Sequence, residues 1–518
     1  MKKLTSSVYS FEDLIRGNFL YVDKTEYIWQ LIKPAKEMYF LSRPRRFGKS
    51  LALSTLKAVF EGKKELFQGL AIYDKPYDWK KYPIIHLDMN GRDFSTLERL
   101  EQSFRSILME QADMSGVDLQ ETTSDTMFHT LIKTLHDRDG NVVILLDEYD
   151  KPILDNISKK NVSEFLSALK VFYSVIKEKS GMLRFAFITG VTKFCHVSLF
   201  SDLNNLTDLT MDVKYAAMLG YTQEEFESDF KEQIISAEKN QSLSHEEILA
   251  KIKKWYDGFR FHAKGESVYN PISLAKFFEH GGDFSNYWFE TGTPTFLLKM
   301  IRKYKFNLED ALKKPVSGYA FSAYEIEKIN PLTLLLQTGY ITIDKAIERY
   351  GDTAYMLRFP NLEVKGSFEV YLAGECSDLM ADQVKDSVYK LADNVTAGDV
   401  DGFMETMKVF FAKVPYNVHL KDENNFQLLF FSIFMLLGIS IQAESNTNKG
   451  RIDAVASNED FVFVFEFKLS KTDQIALQQI RNRDYYRRYM NSGKQIFLIG
   501  VNFDPEAGQI ESWTYEKA

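Results

Sequence analysis

Two apolar segments that each end in polar residues constrain the fold of this chain more than any other feature. Residues 39–50 (YFLSRPRRFGKS) lead from an apolar run through a tight loop into a helical pattern that begins near Gly48. About a hundred residues later, residues 142–150 (VVILLDEYD) form an apolar run that ends in Asp147 and Glu148. Buried strands that alternate with helices and end in polar groups are typical of a parallel sheet with helices on its faces.

The spacing of apolar positions predicts the elements of this α/β core. Short apolar runs alternate with helical periodicity through the first two hundred residues. We therefore predict strands at 37–41, 84–89, 142–146 and 184–189, and helices at 49–61, 97–112, 124–135 and 163–179.

The loop that precedes Lys49 predicts a site for ATP. A helix N-terminus presents unpaired N–H groups and the positive end of the helix dipole to a phosphate. Lys49 is expected to reach the β- and γ-phosphates, and Ser50 is expected to bind Mg²⁺. The other candidate nucleotide-binding residues of the loop are Arg46, Phe47 and Gly48.

The same loop departs from the usual phosphate-binding pattern. The glycine expected five residues before Gly48 is replaced by Arg43, and Pro44 has no N–H to donate. Arg45 and Arg46 are suited either to neutralising phosphate charge or to pairing with acids, and the sequence does not choose between these roles.

The acidic end of the strand at 142–146 supplies the second half of the expected site. Asp147 is expected to hold Mg²⁺ through water, and Glu148 to orient or deprotonate the attacking water. The alternative is a buried strand whose acids cap the next helix.

The strand at 184–189 ends in small polar residues that suit a γ-phosphate sensor. Thr189 or Thr192 is expected in this role, and Lys193 is a further candidate. The competing interpretation is a strand-end turn built by Gly190.

Size and composition limit the class of protein. A chain of 518 residues is too long for one core, and its 45% hydrophobic and 26% charged residues are ordinary for a globular protein. A net charge of −8 argues against a chain that binds nucleic acid over its whole surface. Cys195 and Cys376 lack metal-ligand spacing, which favours a reducing compartment. The most apolar segment, 426–441, is shorter than the roughly 20 residues of a membrane span, so we expect a buried helix and a cytoplasmic protein without a membrane segment.

The pattern along the chain predicts four parts. Residues 1–215 are expected to form the ATPase domain, 216–345 a helical lid or winged-helix-like region, and 346–415 a helical connector. Residues 416–518 are expected to form an αβββαβ module. Its elements are a helix at 424–437, strands at 439–444, 450–456 and 461–469, a helix at 472–491 and a strand at 495–501.

The last part carries a candidate metal site. Asp453 begins one predicted strand, whereas Glu466 and Lys468 end the next, and SNED at 457–460 suits a hairpin turn. Because side chains alternate along a strand, Glu466 and Lys468 share one face while Phe465 and Phe467 point to the other. The carboxylates of Asp453 and Glu466 suit Mg²⁺, and Lys468 is suited to assist an attacking water.

This Asp-x12-Glu-x-Lys pattern is the nuclease constellation known as PD-(D/E)xK. The alternative is a buried Glu–Lys pair that serves only structure, although such charges are costly to bury without partners. Gln479 on the following helix is expected to point into the site. Seven basic and two acidic residues between Lys468 and Lys494 give this segment a charge of +5, which suits either phosphate binding or a solvated helix face.

Motifs along the whole chain resemble those of a bacterial family of AAA-ATPase-like proteins that carry a PD-(D/E)xK nuclease-superfamily domain. They are YVDKT (21–25), FLSRPRRFGKSLALSTL (40–56), ILLDEYDKP (144–152), ITGVTKF (188–194), FSDLNNLTDLT (200–210), YDGF (256–259), YNP (269–271), GRID (450–453) and FEFK (465–468). The resemblance implies an ASCE-type core with Lys49, Ser50, Asp147 and Glu148, and a restriction-endonuclease-like domain with Asp453, Glu466, Lys468 and Gln479. The family often has lysine where this chain has Arg483.

Two functions follow from these sites. The first is an ATP-binding and ATP-hydrolysing protein whose nuclease-like domain uses Mg²⁺ to cleave nucleic acid, with DNA expected before RNA. The second is an ATP-dependent switch or scaffold whose nuclease-like domain binds without cleaving. A DNA motor would need a ring and arginine fingers, which no sequence feature indicates, and the oligomeric state stays open.

Overall fold

A computed structural model of the chain forms two compact units. The first comprises Met1–Glu290 and Leu308–Glu363, and the second comprises Thr291–Asn307 and Val364–Ala518. The four-part division at 215, 345 and 415 stays a prediction. The structure describes residues 2–193, 206–288, 297–298, 300–301, 308–321, 330–377, 379–413, 433, 442–444, 454–469, 472–504, 507 and 509–518.

A five-stranded parallel sheet forms the core of the first unit. Its strands are β1 (Glu37–Ser42), β2 (Ile84–Asp88), β3 (Val142–Asp147), β4 (Leu183–Gly190) and β5 (Leu206–Asp208). Their order across the sheet is β2-β3-β4-β1-β5, so the chain crosses over before each return to the sheet. Every residue of β3 and β4 is buried, because both faces of a central parallel strand are covered. The predicted α/β fold class with a parallel sheet is confirmed.

Helices connect these strands and cover the sheet. The helix Lys49–Phe60 packs against β3 and β4, while Leu97–Ser115 packs against β2. The observed bounds of the predicted strands and helices of this core all lie within four residues of the predicted bounds. The other helices of this part are Phe11–Arg16, Thr25–Ile32, Ser124–Asp139, Lys151–Leu154 and Val162–Glu178, with 3₁₀ turns at Lys64–Phe67, Ser180–Met182 and Val213–Tyr215.

A helical region follows the sheet within the same unit. Its helices are Gln223–Asp229, Lys231–Gln241, His245–Tyr256, Pro271–Glu279, Leu308–Leu312 and Pro331–Gln337. Apolar side chains of the first four of these helices form a cluster that includes Phe226, Tyr256 and Phe277. The YVDKT segment contacts this region, since Lys24 Nζ lies 2.6 Å from the carboxylate of Glu225 and donates to the Ala217 carbonyl.

The helical connector predicted at 346–415 is wrong in its first part, where the strands of a small antiparallel sheet extend to residue 358. β6 (Val316–Ser317) pairs with β8 (Asp352–Arg358), which forms a hairpin with β7 (Thr342–Arg349). The hairpin turn places Tyr350 and Gly351 at φ 53° and 83°, as a type I′ turn requires. Tyr-Gly is not one of the common dipeptides of this turn, and the strands are mostly polar, so the sequence signal was weak.

The second unit contains a mixed five-stranded sheet. Its strands are β9 (Gln442–Glu444), β10 (Ala454–Ser457), β11 (Phe461–Leu469), β12 (Gln495–Asp504) and β13 (Gln509–Lys517). They lie in the order β13-β12-β11-β10-β9, and the β11–β12 pair is parallel while the other pairs are antiparallel. The helices are Leu362–Ser377, which begins in the first unit, Ala381–Ala397, Val400–Ala412 and Asp473–Asn482, and a 3₁₀ helix spans Tyr485–Ser492.

Two details of the predicted αβββαβ module are wrong. β13 adds a final strand, which was not predicted because the residues of this edge strand are largely polar. The helix predicted at 472–491 ends at Asn482, since Asp484 takes a left-handed φ of 54° before the 3₁₀ helix begins. Outside the described residues lie the predicted helix at 424–437 except residue 433, residues 439–441 of the strand predicted at 439–444, and residues 450–453 of the strand predicted at 450–456. Within the described part of the chain, no helix is both long and apolar enough to cross a membrane.

A buried carboxyl group, that of Glu363, holds parts of the first unit together. Ser273 Oγ donates to Glu363 Oε2 at 2.8 Å, and the Trp288 N–H donates to Oε1 at 2.8 Å. Burial raises the pKa of Glu363 to about 8, although these hydrogen bonds and the charge of Arg46 act against the rise. The folded chain therefore binds a proton that the unfolded chain releases near its ordinary pKa of 4.5.

The contribution of Glu363 to stability is expected to be complete below pH 4.5 and to be lost as the pH rises to about 8. Glu363→Gln carries no such titration, so its free energy of unfolding relative to wild type should rise by up to roughly 1.4 kcal/mol per pH unit in this window. Urea unfolding at pH 5 to 8, followed by tryptophan fluorescence, measures the difference. The exposed control Glu348→Gln should show no trend, and a flat difference for Glu363→Gln would contradict the prediction.

Candidate functional site

The ends of β1 and β3 bring the two sequence motifs of the first unit together. β4 pairs with both strands in parallel, so all three end at the same edge of the sheet. There Ser50 Oγ donates to Asp147 Oδ2 at 2.5 Å, although the residues are 97 positions apart. The helix after the loop begins at Lys49, and Gly48 precedes it in a left-handed conformation with φ 89°. Apart from Gly48 and its two chain neighbours, no described residue has a heavy atom within 4 Å of the place that a Cβ on Gly48 would take.

Lys49 and Glu148 face each other at this edge. Lys49 Nζ lies 3.6 Å from Glu148 Oε1 and donates to the carbonyls of Arg43 and Pro44, each at 3.2 Å. Glu148 adopts φ 56°, a left-handed conformation that is costly for a residue with a Cβ and is common at functional sites. The alternative in which these acids cap the next helix is not seen, because the helix Lys151–Leu154 has no side-chain cap bond.

Asp147 lies in a setting that suits a hard cation. It is 2% exposed, and its Oδ1 has no hydrogen-bond partner among the described residues. Burial raises the pKa of Asp147 to about 6, Lys49 and Ser50 lower it, and the charges of Glu148 and Asp88 raise it further. A buried carboxylate oxygen beside a serine hydroxyl fits the ligands that Mg²⁺ prefers.

Arg43 is turned away from the phosphate loop and into the protein. Its guanidinium donates to the carbonyls of Ser42 (2.9 Å), Thr210 (2.8 Å) and Tyr215 (3.0 Å), and lies 4.1 Å from the ring centre of Phe261. The side chain is 1% exposed, and burial lowers its pKa to about 9. The residue that replaces the usual glycine therefore anchors the base of the loop to the segment after β5.

The side chains of Arg46 and Phe47 are held by the helical region. Arg46 Nη1 donates to the Tyr287 carbonyl at 2.5 Å, while Phe47 packs edge-on against Phe259 and Phe261. Both residues were predicted to contact the nucleotide. Because their side chains are engaged in these contacts, mainly the loop backbone is left to contact a nucleotide. The sequence did not indicate these side-chain contacts.

The three sensor candidates differ in what they contact. Thr192 Oγ1 donates to Asp150 Oδ2 at 2.5 Å, and Lys193 Nζ forms an ion pair with Asp208. Thr189 is fully buried at the end of β4, and its hydroxyl has no hydrogen-bond partner among the described residues. Of the three, Thr189 has a hydroxyl that is left for another group.

Tyr149 and Asp150, which complete the DEYD motif, were not predicted as site residues. Asp150 is fully buried and accepts hydrogen bonds from the Val191 and Thr192 N–H groups at 3.2 and 2.7 Å. Tyr149 donates through its hydroxyl to the Thr192 carbonyl at 3.1 Å. The available signal was Asp150 itself, a third acid only three residues after Asp147. An acid that is buried requires several hydrogen-bond donors, so its presence indicated a nearby segment that supplies them.

A second cluster lies on β11 in the other unit. Lys468 Nζ lies 2.8 Å from Glu466 Oε1, and Gln479 Nε2 donates to the same oxygen. The side chain of Glu466 is 2% exposed and that of Lys468 is 18% exposed, so the pair sits at the border of the core. The structure thus brings these three predicted residues together. The same Glu466–Lys468 contact is also what the purely structural alternative predicts.

The surroundings of this cluster follow the alternation of β11. Val462 and Val464 pack with Leu477 and Ile480 of the helix Asp473–Asn482, and Glu466 and Lys468 extend the same row. On the opposite face, Phe465 lies 5.2 Å from Phe403 between ring centres.

Asp453 lies outside the described residues. Its neighbour Ala454 pairs with Phe465, the residue before Glu466, and the predicted turn forms where Asn458 Oδ1 accepts from the Asp460 and Phe461 N–H groups. No group of three or more His, Cys, Asp or Glu side chains suited to a metal occurs in the described part of the chain.

Part of the predicted basic segment is engaged within the protein. Arg481 pairs with Glu516, Arg487 Nε lies 3.1 Å from Asp484 Oδ1, and Lys494 donates to the Asn458 carbonyl. Of these contacts, only the pairing of Arg481 with Glu516 lowers the charge that the segment offers to a phosphate backbone, because Asp484 is already counted in the charge of +5.

Two family models match the chain in the regions that carry these sites. Residues 6–200 match the model of a predicted AAA-ATPase, and residues 421–513 match that of the PD-(D/E)XK nuclease superfamily. The chain therefore has an AAA-ATPase-like core and a C-terminal domain of the nuclease superfamily, as the sequence motifs indicated.

A curated relative covers nearly the whole chain. An uncharacterized protein in the vnfD 5′ region of Azotobacter chroococcum mcd 1 is 35% identical over 528 residues, which span 99% of each chain. The chain belongs to the same family as this protein, and its own AAA-ATPase-like core and nuclease-superfamily domain both lie within the matched length.

Two solved structures, of an ORC2 protein and of a Cdc6p, show some likeness to the chain. The Aeropyrum pernix ORC2 protein (ADPNP-ADP complexes) is 12% identical with a TM-score of 0.28, covering 68% of this chain and 90% of that one. Cdc6p from Pyrobaculum aerophilum is 11% identical with a TM-score of 0.26, covering 72% and 98%. These scores are too low for the likeness to carry an argument.

Replacing Arg43 with the glycine usual in phosphate loops should destabilise the protein. Arg43→Gly removes three buried hydrogen bonds to carbonyl oxygens, so we expect the free energy of unfolding to fall by about 3 kcal/mol. Urea unfolding of the first unit measures the change. The control Arg45→Gly, at an exposed position of the same loop, should cost less than about 1 kcal/mol. Equal losses in the two variants would show that the Arg43 contacts do not stabilise the loop.

Proposed function

We propose that the first unit binds ATP with Mg²⁺ and hydrolyses it. The observation that carries this proposal is the 2.5 Å hydrogen bond between Ser50 and Asp147, with Lys49 and Glu148 beside it. It places a loop hydroxyl, a buried carboxylate and an ammonium group at one strand edge, where a helix N-terminus favours phosphate. When bound, Mg²⁺ offsets phosphate charge.

The residues of this edge have separate roles in the proposal. Lys49 would contact the β- and γ-phosphates, and Ser50 and Asp147 would hold the cation. Glu148 would accept a proton from the attacking water, and the hydroxyl of Thr189 would hydrogen-bond the γ-phosphate. Arg46, Phe47 and Gly48 would contribute through the loop backbone.

We further propose that the second unit acts on nucleic acid, DNA before RNA, with Mg²⁺ as its cofactor. Glu466 and Asp453 would hold the cation, Lys468 would orient the attacking water, and Gln479 would fix the carboxylate of Glu466. The contact of both Lys468 and Gln479 with Glu466 supports this assignment. The position of Asp453 in the sequence supports it as well, because Asp453 directly precedes Ala454, and Ala454 pairs with Phe465, the residue before Glu466.

A switch or scaffold that binds nucleic acid without cleavage is the second candidate. It is favoured by Arg483, which stands where the family often has lysine and is exposed just after the end of the helix Asp473–Asn482. An arginine keeps the positive charge but does not donate a proton near neutral pH. The two candidates share the ATP site and differ only in whether a phosphodiester bond is broken.

Lys49→Ala is expected to weaken binding of ATP with Mg²⁺ at least tenfold, because the charge nearest the phosphates is removed. Titration with a fluorescent ATP analogue gives the dissociation constant. Lys57→Ala, on the same helix but paired with Glu61, should bind as wild type does. Unchanged binding by Lys49→Ala would remove the shared premise of both candidates.

Lys468→Ala and Asp453→Ala are each expected to abolish metal-dependent cleavage. The assay incubates the full chain with single- and double-stranded DNA and RNA, with and without ATP, in Mg²⁺ or Mn²⁺. Lys385→Ala, at an exposed position of the same unit, should cleave as wild type does. Cleavage retained in both site variants would refute the assignment, whereas binding without cleavage by wild type would select the scaffold.

A further inference from the structure

The turn after β4 is held by groups from two neighbouring strand ends. The carboxylate of Asp150 accepts three hydrogen bonds from the turn 190–193, two from the backbone N–H groups of Val191 and Thr192 and one from the Thr192 hydroxyl. From the phosphate loop, the Arg43 N–H donates to the Gly190 carbonyl at a distance of 3.1 Å. Both halves of the proposed ATP site therefore bind the same four-residue turn.

Tyr149 strengthens the link between this turn and the acidic strand end. Its N–H donates to the Thr189 carbonyl at 3.0 Å, its hydroxyl donates to the Thr192 carbonyl, and its own carbonyl accepts from the Tyr173 hydroxyl at 3.1 Å. Glu148 lies between Asp147 and Tyr149, so these bonds also constrain the residue proposed to accept the proton.

Gly190 shows how closely the two segments approach. A Cβ at this position would lie 2.4 Å from Asp150 Oδ1 and 2.5 Å from the Tyr149 ring, so only glycine fits. The glycine of the ITG motif is thus explained by the side chain of Asp150, not by a left-handed turn.

The hydrogen bonds of the turn leave one hydroxyl available. Asp150 engages Thr192, and Asp208 engages Lys193, whereas Thr189 has no hydrogen-bond partner among the described residues. β4 pairs Thr189 with Leu41 at the end of β1, and the preceding Ile188 pairs with Leu146 of β3. Thr189 therefore lies between the phosphate loop and Asp147.

We propose that Asp150 is a positioning residue for ATP hydrolysis: its carboxylate fixes the 190–193 turn against the DEYD segment, which sets Thr189 and Glu148 at a constant separation around the γ-phosphate. This inference rests on the proposed ATPase function. Asp150 itself is fully buried and its carboxylate is bonded to the turn, so its effect is exerted through Thr189 and Glu148. A change at Asp150 should therefore lower the rate of ATP hydrolysis and leave the affinity for ATP nearly unchanged, because that affinity depends on Lys49 and the phosphate loop.

The test compares Asp150→Asn with wild type in the full chain. Asparagine keeps the shape but points an N–H₂ group at donors of the turn, so we expect kcat to fall at least tenfold while the dissociation constant for ATP changes less than threefold. Asp155→Asn, four residues after Lys151 and paired with it at the surface, is the matched control and should keep the wild-type kcat. Activity is expressed per folded molecule, measured by circular dichroism.

The outcomes separate the inference from the proposed function. A wild-type kcat in folded Asp150→Asn, or a loss that only follows the folded fraction, overturns the inference alone. Wild type that binds ATP but does not hydrolyse it overturns the inference and the hydrolysis, while the nucleotide site stands. Absence of ATP binding in wild type removes the proposed function itself.

A second variant covers the case in which Asp150→Asn does not fold. Thr192→Val removes one of the three bonds to Asp150 and preserves the side-chain shape, so kcat should fall severalfold at unchanged ATP affinity. Thr130→Val, at an exposed helix position, is its control and should behave as wild type. Equal kcat values in these two variants would overturn the inference.

Discussion

Burial of the Asp147 carboxylate next to Lys49 and Ser50 is the constraint on which the first unit depends. Such a group is tolerated at the edge of a hydrophobic sheet only when cations and donors surround it. Parallel neighbours end at one edge, and the helix after β1 begins there, so the fold supplies those partners from residues distant in sequence. The same geometry that stabilises the carboxylate also gathers the chemistry proposed for ATP.

The central strands could be predicted because burial on both faces leaves them continuously apolar. β3 has no polar residue before Asp147, and β4 has only Arg184 before Thr189, so the ends of both strands could be located within two residues. The hairpin of β7 and β8 and the edge strand β13 escaped prediction for the opposite reason. They expose many residues to solvent, so their apolar alternation is weak and the turn between Arg349 and Asp352 has an uncommon composition.

The site residues were predictable where one periodic element carries them and not where several segments converge. Glu466 and Lys468 share a face because of the two-residue repeat of a strand, and Gln479 follows on the next helix. The choice among Thr189, Thr192 and Lys193 depends on contacts with Asp150 and Asp208, which lie on other elements. Nothing in the sequence indicated that Arg43 would enter the core, because that requires carbonyls from residues 210 and 215.

The anchoring of Arg43 has a consequence for local unfolding. Opening the phosphate loop would strip three carbonyl oxygens of their donors and leave a guanidinium in an apolar setting, so the loop cannot fray independently of residues 208–215. Loop and segment should instead open as one cooperative unit, with amide protons that exchange at matching rates. The entropy of ordering the loop is then lost when the chain folds, which leaves a ligand less ordering to accomplish on binding.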